Sequence, residues 1–393
     1  MSLQRLVMAV FFLQPVAFGC WLPRIPEIQA RLGLGPADLA LALLGMPVGI
    51  LLTLPFAGRL VARIGSRAAI LYGYVVFLAL VALPAFADSL PMLFAALALV
   101  GAAMTTLELG LNVEADQIEK TGGVMIMSRC HGFWSLGIMA GSLIGAILLA
   151  LEMPPQWAIL ATAIVVLPLA LLASRALPAP QPAEHGATES GDAGLRLPSK
   201  ALLAVCLFTF GITMTEGAIA DWSAVYLKGS FETSGIVTGI GYTVFAGMVA
   251  GGRFVGDMMK SRYGAVTTAR ICGTAALFGI TVVLLAPNTA IVMAGFAALG
   301  FGVSSGFPLA VTASAAMPDR PPAASVAILS FIALLGFLVG PPIIGFVAEY
   351  WSLRIGLAML VPPLVLSLLL TRVLAPASDA RQPPPHVVAG EIL

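Results

Sequence analysis

The sequence predicts an all-α polytopic membrane protein, with twelve transmembrane helices in two pseudo-symmetric six-helix bundles. Three observations lead there. Hydrophobic residues make up 59% of the 393-residue chain and charged ones only 10%, and the mean hydropathy is +1.00. A soluble protein needs a far more charged exterior. Apolar stretches of about 20 residues, the length that crosses the hydrocarbon core, recur twelve times along the chain. Finally, Gly58-Arg59-Leu60-Val61 returns as Gly252-Arg253-Phe254-Val255, each copy behind the second apolar stretch of its half and ahead of a short basic turn.

In chain order the expected spans are 6–23, 37–58, 68–87, 91–115, 125–151, 155–175, 200–227, 234–257, 266–286, 289–316, 323–348 and 353–374. They divide into an N-terminal bundle at 1–177 and a C-terminal bundle at 200–374. Span one has only Arg5 ahead of it and no small-residue cleavage pattern, so it reads as an uncleaved helix. Cys20, after Ala17-Phe18-Gly19, reads as a buried cysteine at a helix end rather than a lipoprotein signal. Span five carries Gly137-x-x-x-Gly141 and span eleven Gly336-x-x-x-Gly340, at matching places in the halves. Small residues at this spacing let backbones approach where lipid supplies no hydrophobic drive. Gly45/Gly49, Gly247/Gly251 and Gly302/Gly306 are further pairs. Pro15, Pro47, Pro55, Pro168, Pro308 and Pro341-Pro342 interrupt spans, and protein or cavity water must satisfy the freed carbonyls. Between the bundles, 178–199 is rich in Pro, Ala, Gly and Glu and reads as a flexible cytoplasmic linker, while 375–393 reads as a disordered tail. His185 and His386 fall in these two segments as solvated bystanders.

Lys and Arg placement sets the orientation. With both termini cytoplasmic, sixteen of the twenty fall on that side, Arg253 among them, and only Arg24, Arg31, Lys228 and Arg354 lie outside. This places the chain in a bacterial-type cytoplasmic (inner) membrane. The net charge of +1 gives no reason to expect nucleic acid. Cys20, Cys130, Cys206 and Cys272 are scattered singly, so no disulfide framework and no metal site is expected. H-E-x-x-H is absent, no nucleotide cradle occurs and the three His are isolated, so neither an enzyme nor a cofactor is expected.

Ionisable groups inside spans are costly and therefore candidates for function. Glu108 and Asn112, four apart in span four, share a helix face. By helical rise Glu108 lies ~12 Å from the cytoplasmic end of its span, and His131 lies ~9 Å along span five from the same side. The three thus fit one polar layer. A carboxylate in a low-dielectric cavity favours its protonated form and can load a proton on one side and release it on the other. Glu108 is assigned that role, against a structural ion pair with Arg129 or a bond to Asn112. His131 either relays the proton or packs. Glu216 in span seven, ~24 Å from Lys200, belongs to the outer half, and Asp221 to the helix end near the outer surface. Glu114, Asp116 and Glu119 are expected at the cytoplasmic surface. Gln14 is the main polar group of span one. Trp134 and Trp222 either stack on a flat solute or serve as interface anchors or packing.

Over essentially its whole length the chain resembles the major facilitator superfamily, with its twelve helices, central loop and G-x-x-x-D-R-x-G-R loop after helices two and eight. The first copy here is Gly58-Arg59-Leu60-Val61-Ala62-Arg63-Ile64-Gly65-Ser66-Arg67, departing at Ala62 and Ser66. The second, Gly252-Arg253-Phe254-Val255-Gly256-Asp257, keeps an acid, and Arg262 and Gly264 follow. The resemblance implies that these loops gate rocking between the halves. Gly336-x-x-x-Gly340-Pro341-Pro342 looks like the Gly-Pro motif of the superfamily's antiporters, although in helix eleven rather than five. Glu108-x-x-x-Asn112 resembles helix four of the fucose-permease branch, in which the Glu serves proton-coupled sugar uptake; that branch's helix-one acid is missing here. The expectation is a monomeric, lipid-embedded secondary transporter moving a small solute with protons, by uptake of a polar solute such as a sugar or by efflux of drugs or metabolites. A non-transporting receptor on the same fold is the remaining alternative.

Overall fold

The computed structural model describes residues 3–123, 126–178, 198–318 and 320–375. The expected linker and tail, with His185 and His386, lie almost wholly outside these residues. Within them every regular element is a helix. Eleven helices are long and apolar enough to cross a membrane: Leu3–Leu32, Pro36–Ile64, Ser66–Phe86, Leu90–Gly122, Arg129–Ala150, Pro155–Arg175, Lys200–Phe231, Gly235–Leu285, Thr289–Ala315, Ala324–Tyr350 and Leu353–Leu374. Gly235–Leu285 runs for 51 residues and is non-helical at Gly264 (φ 78°, ψ 163°), so it is spans eight and nine joined by one residue. That makes twelve.

Gly65, between spans two and three, has nearly the same backbone (φ 82°, ψ 155°). This region of φ/ψ space is open in practice only to glycine. The two turns therefore mark equivalent points of the halves, and they correct the register of the repeat. Gly58 precedes Gly65 by seven residues, whereas Gly252 precedes Gly264 by twelve. Aligned on the turns, Arg63-Ile64-Gly65 corresponds to Arg262-Tyr263-Gly264, and the place of Ala62 falls to Ser261 rather than Asp257. The Gly-Arg-x-Val copies are one turn and more out of step. Arg59 sits about 9 Å from its turn and Arg253 about 16 Å from its own, deep in span eight.

The small-residue pairs pack as the pseudo-symmetry requires. Gly137 and Gly141 bring span five against the Phe12 and Val16 carbonyls of span one, and a side chain at either would collide with them. Gly336 and Gly340 bring span eleven against Phe210, Thr213 and Met214 of span seven in the same relation six spans on. Gly45 and Gly49 meet Phe94 and Ala98 of span four, and Gly302 and Gly306 meet Ala276 and Ile212. The Gly247/Gly251 pair is different: Gly247 faces only the Met139 side chain, and Gly251 has no neighbour within 4 Å. The close approach of span eight to span ten is made instead by Gly252 and Gly256, over Ser304 and Ser305.

The halves meet along several seams, with span one also packed on spans seven and eight. Span five lies on span eight, where Ser142 and Thr243 hydroxyls are 2.9 Å apart and Phe133 meets Phe254 edge to face at 6.1 Å. Span two meets span eleven at the end where spans one and two join. There the Ala37 N–H donates to the Glu349 carboxylate at 3.1 Å, and Gly345 packs on Ala40. Further along span two, a side chain at Gly58 would meet nothing within 4 Å. Arg24, expected at the outer surface, is fully buried at the end where spans one and two join, 2.7 Å from Glu27 and donating to the Met153 carbonyl.

Candidate functional site

Span one is broken. The helix Leu3–Leu13 stops and resumes at Val16, because Pro15 has no N–H to give to the turn below it. Gln14 occupies the break. Its side chain is fully buried, its Oε1 accepts from Trp134 Nε1 on span five, and its Nε2 has no partner. Ser135, the next residue of span five, accepts from Arg253 Nη1 of span eight. Arg253 Nη2 lies 3.5 Å from Glu216 Oε1 of span seven, with both side chains about one-seventh exposed, and Arg253 Nε is buried without a partner. Four spans from two halves thus converge on one polar centre. Span ten is interrupted at Ser304–Ser305, beneath Gly252 and Gly256, and is the second broken helix beside it.

Around this centre, Tyr242 of span eight lies within the electrostatic reach of Glu216, Arg253 and Asp221. Asp221, expected near the outer surface, is inside span seven, ten residues before Phe231, and no charged partner acts on it. His131, one turn before Ser135, feels the Arg253 charge and packs edge to face on Phe11 at 5.6 Å. Its carbonyl accepts from the Ser135 hydroxyl at 3.0 Å.

The expected layer of Glu108, Asn112 and His131 is not joined by hydrogen bonds among the described residues. Asn112 Nδ2 donates back to the Glu108 backbone carbonyl at 2.9 Å. The Glu108 carboxylate, half-buried on span four, has no charged partner, and Arg129 does not pair with it. Glu114 is buried and accepts from Ser66 at 2.6 Å, rather than facing the surface as expected. Glu119 instead receives the Ile126 and Met127 N–H groups at the start of span five. Trp222 is fully buried beside Gly345 of span eleven, so in this structure no solute reaches its ring.

The expected gating residues divide. Arg59, Arg63 and Arg262 are exposed near the turns, and Arg67 donates to the Arg175 carbonyl at 2.5 Å. Gly58 is exposed and Gly65 makes the turn itself. Asp257 is exposed on span eight, two turns short of Gly264. Gly252 and Arg253 belong elsewhere: the first is a packing glycine under span ten and the second is part of the polar centre. Sequence reasoning missed Ser135, Tyr242 and the position of Arg253. The Arg-x-Gly spacing ahead of each turn was the signal that would have placed Arg253 in the membrane.

Twelve spans with a polar centre shared between two halves define a polytopic membrane transporter. Residues 7–317 match the Major Facilitator Superfamily, and the chain belongs to that family. It is 31% identical to an uncharacterized transporter of Sinorhizobium fredii over 89% of this chain and 92% of that protein. It is 32% identical to an uncharacterized MFS-type transporter of Yersinia pestis over 88% of each. The membrane protein MosC of Rhizobium meliloti is 30% identical over 89% of this chain and 84% of its own. Among solved structures, the nucleoside transporter NupG superposes with a TM-score of 0.74 at 14% identity, covering 95% of this chain and 99% of NupG. The Escherichia coli fucose:proton symporter FucP gives 0.64 at 15% identity, covering 95% and 98%. At these identities the likeness is one of fold.

Proposed function

We propose that the chain carries a small polar solute together with a proton across a bacterial cytoplasmic membrane by alternating access, as a monomer with both termini inside. The observation that carries this reading is the convergence of Gln14, Trp134, Ser135, Glu216 and Arg253 from both halves on one centre beside the broken span one. Rocking of the halves breaks and remakes such a centre, so a solute bound there meets first one side and then the other. Glu108, an intramembrane carboxylate without a charged partner among the described residues, supplies a group able to load and release a proton. Each proton entering down ~100 mV contributes about 2.3 kcal/mol. Structures of the same fold include a fucose:proton symporter and a nucleoside transporter, both handling polar solutes.

The orientation rests on charge. Moving Arg253 into the membrane leaves fifteen of the other nineteen Lys and Arg on the inner side. On this orientation the end where Ala37 meets Glu349 is the outer one. The test is reconstitution of wild type and Glu108→Gln in liposomes holding a pH dye, with pools of polar solutes and of amphipathic cations outside. Proton movement triggered by polar solutes and lost in Glu108→Gln is the expected result. Movement with amphipathic cations alone assigns efflux instead, and equal movement in both proteins removes Glu108 from the proton path.

A further inference from the structure

Two buried N–H donors of the polar centre lack acceptors: Gln14 Nε2 and Arg253 Nε. Buried donors in folded proteins are nearly always paired, so each unpaired one calls for a missing acceptor. They are not independent. Gln14 is held by Trp134 and Arg253 by Ser135, adjacent residues of one helix, so both donors flank the same turn of span five.

The guanidinium is engaged unevenly. Nη1 is occupied by the Ser135 hydroxyl. On the opposite edge Nε is empty, and Nη2 has only Glu216 Oε1 at 3.5 Å, the outer limit of a hydrogen bond. That Nε–Nη2 edge is a planar fork whose two N–H groups match the two oxygens of a carboxylate. Glu216 neutralises it from a distance without filling it.

On the transport reading above, we propose that the solute is a hydroxylated carboxylic acid. Its carboxylate seats on the Nε–Nη2 edge of Arg253, and a hydroxyl or second acceptor oxygen reaches Gln14 Nε2. The arriving carboxylate replaces Glu216 as the counter-ion of Arg253. Glu216 then stands without its cation in a buried setting, where a carboxylate takes up a proton. One proton, passed on from Glu108, is bound on Glu216 for each carboxylate, and the site gains no net charge on loading.

The charged and titratable neighbours bear this out. Span eight presents Arg253 and Tyr242, and span seven itself adds Asp221. His131 of span five is coupled to Arg253. Span eleven meets span seven with Gly336, Phe337 and Gly340 and carries Glu349 near its end, span one meets span seven with the segments that hold Arg24, Glu27 and Arg31, span ten carries no ionisable Asp, Glu, Lys, Arg or His, and span twelve has only Arg354 and Arg372, at its two ends. Among the described residues, Arg253 is the one cation that acts on the Glu216 carboxylate.

The test uses the full chain in liposomes with a lumenal pH dye. Three matched pools are added: membrane-impermeant sugar acids such as gluconate and glucuronate, the corresponding neutral sugars and polyols, and amino sugars. The sugar-acid pool should drive proton movement at least tenfold above the other two. Arg253→Lys, folded by circular dichroism, should lose at least tenfold in apparent affinity for the acid. Glu216→Gln should still exchange labelled acid while losing its accompanying proton. Transport of the neutral or amino pool as effectively as the acid pool overturns the carboxylate assignment and leaves the transporter standing. A wild-type proton ratio in Glu216→Gln overturns the Glu216 step. Silence of the wild type with all three pools contradicts both.

Discussion

At the scale of the residue, the site is built by bonds that hold other side chains in a receptive pose. Trp134 fixes the Gln14 amide through its Oε1 and leaves Nε2 without a partner, and Ser135 fixes one end of the Arg253 guanidinium. Replacing Trp134 by Phe keeps an aromatic wall and deletes the donor. That loss, about 1 kcal/mol for a neutral hydrogen bond, should weaken solute binding roughly fivefold in a calorimetric titration while leaving the melting temperature nearly unchanged. Ser135→Ala removes an acceptor from a cation, a larger loss of about 1.5–3 kcal/mol, and should lower both affinity and thermal stability in detergent. Legibility at this scale is uneven. Glu108, Gln14, Trp134 and Glu216 stand out in sequence because a polar residue in an apolar run is conspicuous. Arg253 is equally conspicuous but reads as a loop residue, since Gly252-Arg253 imitates Gly58-Arg59. Ser135 was invisible, because serine is common in spans and only its neighbour across the seam gives it a role.

At the scale of the element, glycines decide both turns and contacts. Gly65 and Gly264 hold a conformation that costs other residues about 1–3 kcal/mol. Gly264→Ala should therefore lower the unfolding temperature although there is nothing within 4 Å for the new methyl to strike. The same change at Gly58, helical and equally unencumbered, should be close to neutral, and differential scanning fluorimetry of the two variants separates backbone strain from packing. The spans themselves were legible because twenty apolar residues have few alternatives in a chain this poor in charge. Their interruptions were less so. Pro15 ends a helix, whereas Pro55, Pro168 and the pair Pro341-Pro342 lie inside continuous ones, and the difference rests on whether neighbours satisfy the freed carbonyls. The matched pairs Gly137/Gly141 and Gly336/Gly340 carried more information than any proline, because the same contact recurs six spans later.

At the scale of the whole molecule, the account requires the halves to part at the end where Ala37 meets Glu349 and to close at the other. The two-bundle fold followed from repeat and hydropathy, but which end is shut followed only from contacts between spans two and eleven, which no local pattern encodes. The contact offers a direct handle. The four native cysteines are buried, so a pair introduced as Ala37→Cys and Glu349→Cys is the accessible one. The decisive measurement is solute-driven proton movement by this double variant in liposomes, before oxidation, after oxidation with cross-linking confirmed on a gel, and after reduction. The account predicts near-complete loss on oxidation and recovery on reduction, since a stapled outer end cannot admit solute. Undiminished proton movement by fully cross-linked protein would contradict it.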